Sequence, residues 1–198
     1  MEFHENQLYH IYNRGNNKHN VFFKPDNYLY FLQKVRKFLL PYCDILNYCL
    51  MPTHFHFLIH ADQRTTQTKR VGLVEKNLFS EGIRNLLQTY AKAINKQNNS
   101  TGSLFQQNTK SKCLSEGSRL YGDVCFHYNH QNPMKARLVK KMEEWEYSSF
   151  RDYAGFRNGT LCNKDLAFEL FGFNQATFYQ DSYNVIKDEV IQNIFQRP

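Results

Sequence analysis

Thr53-His54-Phe55-His56-Phe57-Leu58-Ile59-His60 alternates imidazoles with large apolar side chains over its first half. Successive side chains of a strand point to opposite faces, so His54 and His56 share one face while Phe55, Phe57 and Ile59 share the other. Same-face neighbours lie ~7 Å apart at their Cα atoms, close enough for two imidazoles to grip one divalent ion. The apolar face would anchor the strand in a core. Two satisfied structural histidines are an equally good account of the pair taken alone. A rigid strand with two metal ligands can hold a phosphate for cleavage, provided a third ligand and a nucleophile come from elsewhere.

Working outward, Gln7-Leu8-Tyr9-His10-Ile11-Tyr12-Asn13 reads as a first strand, closed by the loop-rich Arg14-Gly15-Asn16-Asn17. A helical pattern starts at Asp26, with Phe31, Leu32, Val35, Phe38 and Leu39 on one face, and Pro41 ends it. Cys43 to Leu50 is a second strand; Met51-Pro52-Thr53 turns the chain into the third, His54 to His60. Ala61 to Ser80 is polar and basic, a loop with short structure. A second amphipathic helix carries Ile83, Leu86, Leu87, Tyr90, Ala91 and Ile94. Leu104 to Leu114 is a fourth strand, and a further helix runs from Ser118 to Asn132, where Pro133 stops it. The expected fold is α+β: a ferredoxin-like, split β-α-β antiparallel sheet with two helices on one face. The extra helix from Ser118 is left to lie near the other face.

The chain has 198 residues, 41% of them hydrophobic and 16% aromatic, enough for a sizeable core. No apolar run approaches the ~18 residues of a membrane span. Met1-Glu2-Phe3-His4-Glu5-Asn6 does not resemble a signal peptide, so a cytoplasmic protein is expected. The five cysteines are scattered, which favours reduced structural thiols over a zinc site. The net charge of +7 suits a polyanionic partner without proving one.

The helix from Ser118 places Tyr121, Val124, Cys125, Tyr128 and Asn132 on one face. A packed core tyrosine is the plain account of Tyr128 alone. The order of motifs changes the weighing. Tyr48-Cys49-Leu50-Met51-Pro52-Thr53-His54-Phe55-His56-Phe57-Leu58 resembles the HUH motif of single-tyrosine transposases, best matched in their REP-associated branch. Tyr128-Asn129-His130-Gln131-Asn132-Pro133-Met134-Lys135-Ala136-Arg137-Leu138-Val139 is similar to that branch's second signature. Tyr9 to Gly15 and Trp145-Glu146-Tyr147-Ser148-Ser149 resemble two further blocks. The likeness runs from residue 9 to about 150, within an expected domain of residues 1–154; residues 155–198, rich in Phe and Tyr, are expected to form a helical C-terminal appendage.

The resemblance implies that His54 and His56 bind a divalent metal, that Tyr128 is the nucleophile, and that Asn132 is a third polar ligand. Two imidazoles and an amide oxygen lean toward Mn²⁺ or another transition ion, whereas the resemblance implies Mg²⁺ or Mn²⁺. Attack by tyrosine on a phosphodiester gives a 5′-phosphotyrosine and a free 3′-hydroxyl, which fits strand transfer of single-stranded or hairpin DNA. Asn13 and Arg14, in the loop leaving the first strand, and Lys110 and Lys112 are candidate DNA contacts. An ordinary turn with a solvated arginine is the alternative for the first pair. The chain departs from the family at Gln106-Gln107-Asn108, where relatives carry glycine, arginine and an aromatic; at Asn129, for an apolar residue; and at Arg137, for glycine. Similar transposases act as homodimers in which the tyrosine helix of one chain completes the partner's site, for which Leu114 to Gly117 would be the hinge, whereas some REP-associated relatives work as monomers. The rival reading is a non-enzymatic, domesticated DNA- or RNA-binding protein on the same fold.

Overall fold

The strand with the two histidines, β3 (His54–Ala61), lies inside a four-stranded antiparallel sheet between β2 (Asp44–Met51) and β1 (Gln7–Arg14). The outer strand beyond β1 is β6 (Lys110–Cys113), giving the order β2-β3-β1-β6. Helix α1 (Pro25–Phe38) links β1 to β2, and α3 (Leu78–Gln97) precedes β6, so the core follows a split β-α-β order. The computed structural model describes residues 1–114 and 120–184, together with 186 and 191. Residues 115–117 of the expected hinge, and Ser118 and Arg119 at the start of the expected tyrosine helix, lie outside the described residues.

Register fixes which side chains share a face. Tyr12 stands opposite His56, and Arg14 opposite His54; from the other side Cys49 faces His56 and Met51 faces His54. Tyr9, Ile11, Tyr48, Phe55, Phe57 and Ile59 therefore point the other way, into a buried core. Two helices cover that face. Pro25 opens α1, its fixed φ suiting the first helical turn, and Phe31 meets Phe55 at 5.2 Å between ring centres. Asn77 caps α3, accepting from the Ser80 N–H at 2.8 Å. Tyr90 of α3 packs edge-on to Phe31 at 4.9 Å and donates to the Val21 carbonyl at 2.8 Å. Gly82 lets these helices meet, because a Cβ there would sit 2.2 Å from the Phe38 carbonyl oxygen.

The opposite face is covered by α4 (Leu120–Lys135), which packs on β2 and β3. Asn47 fastens it: its amide donates to the Phe126 carbonyl at 2.8 Å and accepts from Asn129 Nδ2 at 2.9 Å. The helix passes through Pro133 rather than stopping before it. Proline removes one N–H, but the next turn is recovered by Ala136 N–H to Asn132 and Leu138 N–H to Pro133, both at 2.9 Å. Helical geometry then closes at Arg137, whose φ is +58°.

The fourth strand is shorter than the sequence pattern implies. Phe105 bridges to Gly15, then residues 106–109 leave the ladder before β6 begins at Lys110. The Asn13 side chain holds this detour, donating to the Gln106 carbonyl at 3.2 Å and to Thr109 Oγ1 at 3.0 Å. The Trp145–Ser149 block lies along β2: Leu50 N–H donates to Tyr147, Ser149 N–H to Tyr48, and Trp145 Nε1 to Leu50. It thereby covers an edge that would otherwise be open to pairing. Between β3 and α3, the expected loop contains a short helix, α2 (Gln63–Thr66), and a two-stranded ribbon, β4 (Thr68–Val71) and β5 (Val74–Asn77). Later segments add α5 (Phe150–Tyr153), α6 (Lys164–Phe171) and α7 (Phe178–Asp181). Their aromatic rings, notably Phe171 and Phe178, surround Phe126 of α4.

Candidate active site on the histidine face

His54 and His56 project from one face of β3 with their ring centres 4.9 Å apart and their planes nearly perpendicular. Each ring has its Nδ1 engaged. Thr53 Oγ1 lies 2.8 Å from His54 Nδ1, and His10 Nε2 lies 2.9 Å from His56 Nδ1. The Nε2 atoms are thus the ones left for a ligand. Burial, followed by the charge of Arg14, brings the His54 pKa down to about 4. Burial, then the neighbouring His10 and His54, holds His56 well below its ordinary value. Both rings are neutral at physiological pH, the state in which an imidazole offers a lone pair to a metal.

Helix α4 brings Tyr128 over this face, its ring 6.4 Å from that of His56 and edge-on to it. Burial, then Cys125 and Cys49, raises the Tyr128 pKa, so the phenol is protonated at rest. The Lys135 ammonium stands 5.3 Å from the Tyr128 ring centre. Asn132, one turn beyond Tyr128, is buried, and its Nδ2 has no hydrogen-bond partner among the described residues. An unpaired buried amide calls for a partner, and its O and N ends exchange by a half-turn of the side chain. Asn132 makes no hydrogen bond to either histidine among the described residues. Nor do three His, Cys, Asp or Glu residues gather there in the manner of a metal site. The polar groups left without a partner or with one ring nitrogen open are thus the Nε2 atoms of His54 and His56 and the buried Asn132 amide.

The remaining candidates divide between the two faces. Arg14 stands opposite His54, while Lys110 and Lys112 of β6 stand opposite Tyr12 and His10. These three cations line the histidine face. Asn13 falls in the opposite register, buried, with its amide committed to the 106–109 segment. A loop-clamping role is the one its geometry supports. His130 shares a 2.8 Å hydrogen bond with Ser149 Oγ and sits among aromatic rings. His10 is the residue that sequence reading left without a role. Its place in β1, two positions before Tyr12 and four before Arg14, put it on the histidine face, but diagonal contact across strands is not evident from periodicity. Its own pKa is brought down to about 3 by burial and then by Lys112.

No family model matches the chain, and no curated protein matches it. Among solved structures, that of a REP-associated tyrosine transposase bound to a REP hairpin is similar, with a TM-score of 0.58. The match covers 78% of this chain and 83% of that chain at 14% identity. At that identity the likeness is one of fold: a mixed α+β domain with an antiparallel sheet. Among the described residues no helix is long and apolar enough to cross a membrane.

Proposed function

We propose that this protein is a metal-dependent endonuclease and strand transferase acting on single-stranded, hairpin-bearing DNA, with Tyr128 as nucleophile. The observation that carries the reading is the approach of the Tyr128 ring to within 6.4 Å of His56, on the face where both histidines present Nε2. The fold shared with a hairpin-bound transposase supports the same substrate class.

His54 and His56 would hold the divalent ion, Mn²⁺ or Mg²⁺, and Asn132 would complete its protein ligands. When bound, the ion polarises the scissile phosphate and offsets its developing negative charge. For His56 to ligate through Nε2, its Nδ1 carries the proton and donates to His10. For His54 the same role falls to Thr53 Oγ1. Tyr128 Oη attacks phosphorus as its proton passes to solvent; the bond to the 3′ oxygen breaks, and that oxygen takes up a proton from solvent. The products are a 5′-phosphotyrosine and a free 3′-hydroxyl, which conserve the bond for rejoining. Arg14, Lys110 and Lys112 neutralise backbone phosphates along the face.

A second reading has a specific observation behind it: the ligand set contains no carboxylate and no third histidine or cysteine among the described residues. On that reading the same face binds nucleic acid without cutting it. Incubation with Mn²⁺ and labelled stem-loop DNA separates the two. A covalent adduct lost in Tyr128→Phe supports the enzyme; metal-independent binding with no nicking supports the binding protein.

A further inference from the structure

The β4–β5 ribbon has features that neither the core nor the histidine face requires. Every residue from Thr68 to Lys76 is exposed, and the tip, Val71-Gly72-Leu73-Val74, presents Leu73 with 94% of its surface in solvent. A two-stranded ribbon without a packed face is marginal in water. Its ladder sets Lys69 directly opposite Lys76, a like-charge pair that disfavours the pairing, and Arg70 opposite Glu75. None of the three cations lies within ion-pair distance of a carboxylate among the described residues. Arg70 Nε instead donates to the Gly72 carbonyl at 3.2 Å, and the field of Lys76 reaches Glu81. Opposed cations around an exposed aliphatic tip ask for an anionic partner with apolar surface.

We propose that this ribbon is a DNA-gripping arm that enters the major groove of a base-paired stem. A two-stranded β-ribbon has the width that the major groove admits, and aliphatic side chains there contact thymine methyl groups. Lys69, Arg70 and Lys76 take the flanking phosphates, while Leu73 and Val74 meet base edges. The absence of any aromatic from Thr68 to Asn77 argues for a paired stem over an unpaired strand, which is held by stacking on rings.

Position supports the assignment. From His54 the third strand runs seven residues to Ala61, about 23 Å at strand rise, and α2 then leads into the ribbon. That span is about seven base pairs. On the histidine face Arg14 stands opposite His54, Lys110 opposite Tyr12 and Lys112 opposite His10, cations stepping toward the Ala61 end of the sheet from which α2 and the ribbon leave before the chain enters α3 on the other face. The arm deepens the proposed function and rests on it, supplying the grip on the paired part of a hairpin substrate.

The test is fluorescence anisotropy of the full chain in EDTA, where no cutting occurs, with a stem-loop DNA and an unpaired strand of equal length. Lys69→Gln/Lys76→Gln is expected to weaken stem binding about tenfold at low salt and to lower the salt slope by about two. Leu73→Ser, an exposed change without consequence for folding, is expected to weaken stem binding with the slope unchanged. Unaltered stem affinity in both variants overturns the arm while leaving the DNA-processing reading intact. Equal loss on stem and unpaired strand overturns the groove assignment. If the unaltered protein binds neither DNA, the DNA-processing reading falls, and the arm with it.

Discussion

His10 Nε2 lies 2.9 Å from His56 Nδ1, and the two rings are stacked nearly parallel with centres 5.0 Å apart. A strand-borne imidazole is thereby fixed in position by a side chain from the neighbouring strand, with its Nδ1 engaged. Second partners of this kind commonly contribute 10- to 100-fold to metal affinity. His10→Ala is expected to weaken Mn²⁺ binding by about tenfold or more, and Thr53→Val to do the same through His54. Electron paramagnetic resonance of free Mn²⁺ measures both without requiring turnover. Unchanged affinity would remove His10 and Thr53 from the site.

The anchor of α4 is polar and buried. Asn47 and Asn129 exchange a 2.9 Å hydrogen bond while Asn47 also satisfies the Phe126 carbonyl at 2.8 Å. Asn129 is a polar residue in a buried position, and Asn47 is the group that pairs it. Asn47→Leu leaves both the Phe126 carbonyl and the Asn129 amide without this partner, and is expected to cost about 2–4 kcal/mol in urea unfolding. A loss below about 1 kcal/mol would mean that apolar packing holds the helix.

Arg137 occupies the left-handed region at φ +58°, just past the end of α4. That conformation suits glycine and strains any residue with a Cβ. Arg137→Gly is expected to stabilise the fold by about 1 kcal/mol, read as a rise in the urea midpoint. A destabilised variant would show that the arginine side chain contributes more than its backbone costs.

Glu143 ties the later segments to the body, accepting from Tyr179 Oη at 2.8 Å and Tyr183 Oη at 2.6 Å. Burial works to raise its pKa, but the Tyr183 hydroxyl, then its own backbone N–H, the Tyr179 hydroxyl and the charge of Lys141 hold the carboxyl below its ordinary value. A depressed carboxyl contributes stability that is present above the unfolded value of about 4.3 and is lost as pH falls through the folded one. Tyr179→Phe, which spares the Met142 N–H to Tyr183 Oη bond, should therefore lower the melting temperature at pH 7, with a deficit that shrinks as pH falls through the folded value. A deficit that persists in acid would assign the effect to packing instead.

Much of the fold was legible because its signals are local. Alternation in His54–Ile59 and helical spacing from Ile83 to Ile94 each follow from a buried face meeting a solvated or polar one. The places that resisted are governed by distant partners. Residues 106–109 leave the strand because Asn13, far earlier in the chain, holds them; α4 continues past Pro133 because the following N–H groups find acceptors. Polar residues from Thr68 to Asn77 pair into a ribbon through a Gly72 turn at φ +63°, a pairing with no apolar period to announce it. In the site, the shared face of His54 and His56 was readable from spacing, and the Tyr128 ring lies 6.4 Å from that of His56. The His10–His56 bond needed cross-strand geometry, and the amide of Asn13 turned out to be engaged by its own chain.

On the proposed mechanism Tyr128 becomes covalently joined to DNA. Purified protein is incubated with Mn²⁺ and a stem-loop DNA labelled on the 3′ side of the cut, then resolved under denaturing conditions. A labelled band at the combined mass of protein and DNA is expected, absent in Tyr128→Phe and in EDTA. An adduct that survives Tyr128→Phe, or no adduct from the unaltered protein on DNA that it binds, would contradict the assignment.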